Sequence, residues 1–255
     1  MSISLKNIQS GYDGFRLQNV TLEIAQGSLT VLIGPNGCGK STLLKSMSRE
    51  LRPGGGTVSV GGQDIASLRT KEVARQVAVL PQHPVVPPGI TVEQLIGYGR
   101  APHQNLLGMR SEEDREIIEA ALKTVKLTNE RNQLVSALSG GQRQRAFVAM
   151  CIAQDTPYVL FDEPTSFLDI RYQYDVLDLM TELHRRGNTV VAVLHDIAQA
   201  ARYATDLVVM KDGALHIRGA PKDIITEEMI SEVYHISARV YPDPVTQTPT
   251  VAPIR

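Results

Sequence analysis

The apolar run Ser28-Leu-Thr-Val-Leu-Ile33 leads straight into Gly34-Pro-Asn-Gly-Cys-Gly-Lys40-Ser41. The run predicts a strand buried on both faces, and Lys40 to about Ser48 predicts a helix. A buried strand, a glycine-rich loop and a helix in that order require an α/β sheet with an anion cradle at the strand end. In such a loop, successive backbone N–H groups point inward, and the helix N-terminus adds partial positive charge. Gly34, Gly37 and Gly39 allow close backbone approaches that a side chain would block. Lys40 is expected to reach the β- and γ-phosphates of a nucleoside triphosphate, and the Ser41 hydroxyl to ligate Mg2+.

The chain has 255 residues, enough for one large domain or two small ones. Its net charge of -1 advertises no surface for nucleic acid. Cys38 and Cys151 lie far apart without paired spacing. That excludes a disulfide framework and argues for a reducing compartment. No signal peptide is legible at the N-terminus, and no apolar run approaches the roughly 20 residues that span a bilayer. Any service to a membrane is therefore expected from its cytoplasmic side, through a partner.

Residues 2–8 and 17–24 alternate apolar and polar and predict strands, with Tyr12-Asp13-Gly14 as a turn between them. Pro53-Gly-Gly-Gly56 breaks the chain before a strand at Thr57–Val60. A helix is predicted at Leu68–Gln76 and a strand at Val77–Leu80, stopped by Pro81. The proline-rich His83–Pro88 stretch is a shaped loop. Helices follow at Thr91–Tyr98, at Ser111–Val125 and from Ser139. Ser111 with Asp114 forms a capping-box pattern, and Ile117, Ile118, Ala121, Leu122 and Val125 share one face. About 83–155 is thus a mostly helical insert in an α/β core. Beyond it, Pro157–Phe161 and Thr189–Leu194 are buried strands, with a helix from Ile170 to Arg186 ended by Gly187. A further helix is predicted at Ala198–Ala204. Leu207–Met210 and Ala214–Arg218 form a hairpin around Asp212-Gly213. The tail after about Ser237 has several prolines and no clear period.

Asp162 ends an apolar strand, where a second Mg2+ contact is needed. Glu163 points elsewhere and is placed to polarise an attacking water as general base. Gln82, at the junction of core and insert, has an amide suited to Mg2+ or the water; the alternative is a surface glutamine. His195 follows a buried strand and is a candidate for the γ-phosphate by position alone. The other histidines show no metal spacing. Leu138-Ser-Gly-Gly-Gln142 opens a helix and is a second anion site far from the first. One γ-phosphate needs little beyond the first cradle, so the second is read as serving another copy's ATP; an ordinary helix start with a glycine pair is the alternative. Cys38 sits near a helix N-terminus and Lys40, surroundings expected to lower its thiol pKa and make it reactive; otherwise it is a small residue that the loop tolerates. Arg143 and Arg145 form a basic helix face, solvated unless it meets another protomer.

Together these residues resemble the ATP-binding cassette (ABC) ATPases over nearly the whole chain. Gly34, Pro35, Asn36, Gly37, Cys38, Gly39, Lys40, Ser41 and Thr42 resemble the Walker A loop, and Tyr158–Glu163 resembles Walker B. Gln82 resembles the Q-loop glutamine and His195 the switch histidine. Ser139, Gly140, Gly141 and Gln142 resemble the signature element. Ser166–Asp169 is similar to the D-loop, with Phe167 where a smaller residue is common. Tyr12 resembles the aromatic residue that stacks on adenine, although a turn tyrosine is the plain alternative. The resemblance implies a P-loop NTPase α/β fold over 1–236 and a short C-terminal extension at 237–255. Within that fold it implies a helical subdomain at about 83–155 and an N-terminal antiparallel β subdomain. It implies ATP and Mg2+, catalytic Lys40, Gln82, Glu163 and His195, and metal contacts from Ser41, Gln82 and Asp162.

Leu80-Pro-Gln-His-Pro and Gly89–His103 are similar to the ATPases of ferric-siderophore, ferric dicitrate, haem and vitamin B12 importers. That resemblance implies a bacterial importer ATPase at the cytoplasmic face of the inner membrane. It would work as a homodimer with two permease subunits and a separate periplasmic binding protein, with no nucleic acid. Gln82 to about Leu107 would line the groove for a permease helix. The cargo implied is a ferric siderophore or ferric citrate. The alternatives are haem or vitamin B12, a soluble ABC protein of DNA repair or translation, and a P-loop kinase.

Overall fold

A computed structural model describes residues 2–12, 15–104 and 110–254, with Tyr12 and Phe15 described by backbone alone. The chain divides into two compact units. One is Met1–Leu68 with Thr189–Arg255, and the other is Arg69–Asn188.

In the first unit, an antiparallel sheet has the order Val20–Ile24, Ile3–Gln9, Gly55–Val60, Gln63–Asp64. Ile3 and Leu5 alternate onto its buried face as the sequence predicts. Asn7, at φ 52°, then shifts the register, so that Ile8 rather than Asn7 returns to that face. The second strand starts at Val20 rather than at 17, because Asn19 takes a left-handed φ of 50° that no strand continues.

Beside this sheet the same unit has a parallel core. Leu29–Ile33 lies between Thr189–Val193 and Asp206–Lys211, parallel to both, and Ala214–Gly219 returns antiparallel on the outside. Every residue of Leu29–Ile33 and of Thr189–Val193 is buried, as expected of strands covered on both faces. The hairpin turns at Asp212-Gly213, both at positive φ (47° and 80°), the condition of a type I′ turn. The helix Lys40–Met47 buries Leu43, Leu44 and Met47 against Thr189–Val193 and Gly55–Val60.

The end of the chain is more regular than its sequence indicates. A helix at Glu227–Tyr234 precedes the hairpin Ala238–Pro242 with Pro249–Pro253, and the latter strand packs on the helix Ile197–Tyr203. Asp243 closes this hairpin. Its carboxylate accepts from the N–H groups of Val245 and Thr246 and from the Thr246 hydroxyl.

In the second unit, Val77–Leu80 and Tyr158–Asp162 pair in parallel, and Thr70–Gln76 packs on the first of them. The helices Val92–Tyr98, Glu112–Thr124 and Gly140–Ala153 pack on one another, and Ile170–Arg185 packs on the last. Thr91, Ser111 and Ser139 each cap a helix with a reciprocal capping box, the one at Ser111 as predicted. Ile118, Ala121, Leu122 and Val125 are buried, and Ile117 is half-buried at the edge of that face. The interior also holds an ion pair. Arg100 Nε lies 2.7 Å from Asp114 Oδ1, with side chains only 4% and 6% exposed. Its guanidinium also donates to Ala153 O at 2.9 Å, so three helix ends meet at one buried charge. Gly187, at φ 94°, ends Ile170–Arg185 as the sequence predicts.

Candidate functional site

In the first unit, the glycine-rich loop follows Leu29–Ile33 and leads into Lys40–Met47. A β-carbon on Gly34 would lie 2.2 Å from Met210 O, so the loop backbone rests directly on the strand Asp206–Lys211 and only glycine fits. Lys40 is 5% exposed, and its ammonium donates to Gly34 O at 2.8 Å and Pro35 O at 2.9 Å. Gly39 is the N-cap of the helix. No side chain caps this end, and its first turn carries no acidic residue. The dipole at this end therefore favours an anion, which suits the polyphosphate of ATP. Ser41 and Thr42 are half-buried in the first helical turn, and Asn36 and Gly37 are exposed.

Cys38 departs from expectation. It is 4% exposed, and burial pushes its thiol pKa above the ordinary value, outweighing the lowering effect of the Lys40 charge. A depressed, reactive thiol is thus overturned by desolvation. His195 is exposed and directly follows the buried Leu194. Asp196 caps the next helix by accepting from Gln199 N at 2.9 Å. Tyr12 has its backbone in the short strand Gly11–Tyr12, paired with Phe15–Arg16; its side chain and the Asp13-Gly14 turn lie outside the described residues.

In the second unit, Leu80 pairs with Phe161. This parallel register sets Gln82 and Glu163, each two residues further on, level with one another. Glu163 leaves the strand at φ 51°, and its Oε2 accepts from Gln82 Nε2 at 2.5 Å and from the Ser166 hydroxyl at 3.2 Å. Two candidate residues 81 positions apart thereby become one hydrogen-bonded pair. Asp162, the last strand residue, is 1% exposed. Phe167 takes φ 61° and is 91% exposed, its ring 6.2 Å from that of His83.

Ser139 Oγ accepts from Gln142 N at 3.3 Å, and Gln142 Oε1 accepts from Ser139 N at 3.1 Å. That use of its lone pair leaves the Ser139 hydroxyl proton to donate elsewhere. Gly140 is exposed with open space around it, whereas Gly141 is buried against the Tyr172 ring. Arg145 does not belong to a solvated basic face. Its side chain is 16% exposed, lies 3.0 Å from Asp175 Oδ2 and stands over Tyr172. Gln144, which sequence reasoning passed over, donates to Pro164 O at 2.8 Å and ties this helix to the residue after Glu163. Within Gln142-Arg-Gln-Arg145 no local pattern marks which side chain turns inward. Leu107, the expected far end of a permease groove, lies outside the described residues. Among the described residues no group of His, Cys, Asp or Glu forms a metal cluster, and no helix is long and apolar enough to cross a membrane.

The sequence profile of the family described as "ABC transporter" matches residues 17–166. This chain belongs to that family, as an ATP-binding, ATP-hydrolysing subunit. It is 45% identical to the ferric enterobactin transport ATP-binding protein FepC of Escherichia coli (strain K12), over 96% of this chain and 91% of that one. It is 40% identical to the iron(3+)-hydroxamate import ATP-binding protein FhuC of Bacillus subtilis (strain 168), over 97% and 93% respectively. Among solved structures, the ATP-binding cassette MJ0796, a dimer in a post-hydrolysis state bound to ADP and Pi, superposes with a TM-score of 0.77. It is 29% identical over 86% of this chain and 98% of that one.

Proposed function

We propose that this chain hydrolyses ATP to power the uptake of an iron chelate, a ferric siderophore or ferric citrate, by a bacterial importer. The observation that carries the reading is its similarity to FepC and FhuC over more than nine-tenths of each chain. In this reading two copies close on two ATP molecules at the cytoplasmic face of the inner membrane. They move two permease subunits, and a separate periplasmic protein delivers the chelate. Vitamin B12 or haem is the alternative cargo.

Bound ATP supplies the phosphoanhydride bond that is cleaved, and Mg2+ supplies charge neutralisation. The loop N–H groups and Lys40 bind the phosphates. Ser41, Gln82 and Asp162 are assigned to Mg2+, and Tyr12 to the adenine. Glu163 takes the proton of the attacking water, held by its bonds to Gln82 and Ser166. His195 is assigned to the γ-phosphate. Ser139, Gly140, Gly141 and Gln142 are assigned to the ATP of the other copy.

The test is uptake of radiolabelled iron, supplied as several chelates, in iron-starved cells carrying either the parent or Glu163→Gln. Loss of uptake of one chelate in the variant is expected. Unchanged uptake of every chelate, in a strain without a redundant system, removes the iron assignment and turns the test to cobalamin and haem.

A further inference from the structure

The Asp212-Gly213 turn does more than reverse the chain. In this hairpin the ladder ends at the pair Lys211 with Ala214, so the peptide groups of the two turn residues lie beyond it. Gly213 is buried, so its peptide groups need partners, and one of them comes from the phosphate loop. Gly213 N–H donates to Cys38 O in the phosphate loop at 3.1 Å. Gly213 O accepts from Gln18 N at 2.8 Å, and Asp212 O accepts from Gln18 Nε2 at 3.0 Å. One strand residue earlier, Met210 O lies so close to Gly34 that no β-carbon would fit between them. The loop therefore leans on this hairpin at both of its ends.

The bond to Cys38 O has a directional consequence. A peptide group is planar and trans, so its C=O and N–H point in opposite directions. Once Gly213 holds the Cys38 carbonyl toward the hairpin, the N–H of Gly39 in the same peptide must face away from it. That N–H stands at the uncapped start of Lys40–Met47. We propose that the Asp212-Gly213 turn, latched by Gln18, is a positioning clip that aims the Cys38–Gly39 peptide for phosphate binding. Gln18 and the turn touch no phosphate; they set the direction of a group that does. The clip rests on the reading of Gly34–Thr42 as the ATP phosphate site.

Three variants of the full-length chain test it by calorimetric titration with ATP and ADP. Gln18→Leu removes the side-chain bond to Asp212 O and should weaken both nucleotides roughly five-fold. Insertion of one glycine between Asp212 and Gly213 displaces the Gly213 N–H and should weaken them by about ten-fold or more. Gln18→Lys keeps an N–H donor of sufficient reach and should bind within about two-fold of the parent. Gln18→Leu changes only an exposed side chain and should keep the parent Tm, and the first two variants should both keep the parent kcat at saturating ATP. Hydrogen exchange of the nucleotide-free chain should quicken across 36–40. Lys40→Ala is the separate check on the site. If it binds ATP as the parent does, the phosphate-site reading falls and the clip with it. If Lys40→Ala abolishes binding but the insertion leaves affinity and exchange unchanged, only the clip is overturned. For Gln18→Leu, affinity lost only in step with Tm would likewise overturn it, because that is the behaviour of a merely structural turn.

Discussion

Alanine at Gly141 should destabilise the protein, and alanine one residue earlier should stabilise it. Both glycines lie in the first turn of Gly140–Ala153, where alanine gains up to about 1 kcal/mol of helix propensity. At Gly140 nothing lies within 4 Å of the added methyl, so that gain stands. At Gly141 the methyl would lie 2.3 Å from Tyr172 Cγ and 2.5 Å from Cδ1. Carbon atoms rest at about 3.5–4.0 Å, so the ring must retreat by more than about 1 Å. The nearest atom is the one bonded to the Tyr172 β-carbon, so turning the ring about its own axis does not clear the contact. Such overpacking costs about 1–3 kcal/mol. The two variants should thus differ by about 1–3 kcal/mol, or roughly 2–12 °C in Tm for a chain of this size. Differential scanning calorimetry at one protein concentration reads the difference. In a Tyr172→Ala background the obstacle is gone, and Gly141→Ala should become neutral or stabilising. If Gly141→Ala melts with Gly140→Ala in the parent background, the packing argument is wrong. Activity adds a second readout. Gly140→Ala should be well folded yet lose most ATP hydrolysis if this helix start holds the phosphate of a second copy. Hydrolysis at the parent rate would remove Gly140 from that role.

Asp114→Asn should cost about 3 kcal/mol, lowering Tm by roughly 6–12 °C, because it leaves the Arg100 charge buried without its partner. Burial raises the Asp114 carboxyl pKa, but hydrogen bonds from Arg100 and Ser111 outweigh that and hold it below the usual carboxylate value. A depressed folded-state pKa means that the contribution is present above the ordinary Asp value of about 3.9 and is lost as pH falls further. The gap in Tm between parent and Asp114→Asn should therefore narrow below about pH 4, and a gap constant down to pH 2 would contradict the pairing. Cys38 should alkylate more slowly than a free thiol at pH 7, with a rate still climbing above about pH 8.5. Mass-spectrometric labelling with iodoacetamide checks this, and labelling faster than the free thiol at pH 7 would refute it. Cys151, whose pKa burial pushes up to about 12, should stay unlabelled in the folded chain.

Where the governing interaction is local, the sequence was legible. The capping box at Ser111 and Asp114, the stop at Gly187 and the turn at Asp212-Gly213 each follow from residues within a few positions of one another. The C-terminal hairpin was not legible. Its prolines hide the alternation of the strands, and its turn depends on one carboxylate, Asp243, accepting three hydrogen bonds. The candidate site was legible as a set of residues and much less as a geometry. Gln82 and Glu163 are each recognisable from their position after a strand, but their hydrogen bond depends on the parallel register of Leu80 with Phe161. Arg145 reads as a surface charge until Asp175 and Tyr172 are seen beside it.

By itself, then, the sequence determined the order of strand, glycine loop and helix, the cap at Ser111, the turn at Asp212-Gly213 and the candidates for nucleotide binding. These depend on backbone preferences and short-range periodicity, which act over a few residues. The tertiary structure alone decided which groups lose water and which distant groups become partners. It buried Cys38 and so reversed the expected shift of its thiol. It joined Gln82 to Glu163, and it set Gln18 against the hairpin turn and that turn against the Gly34–Thr42 loop. Desolvation and hydrogen bonding act through space, and no reading along the chain contains the neighbours that the fold brings together.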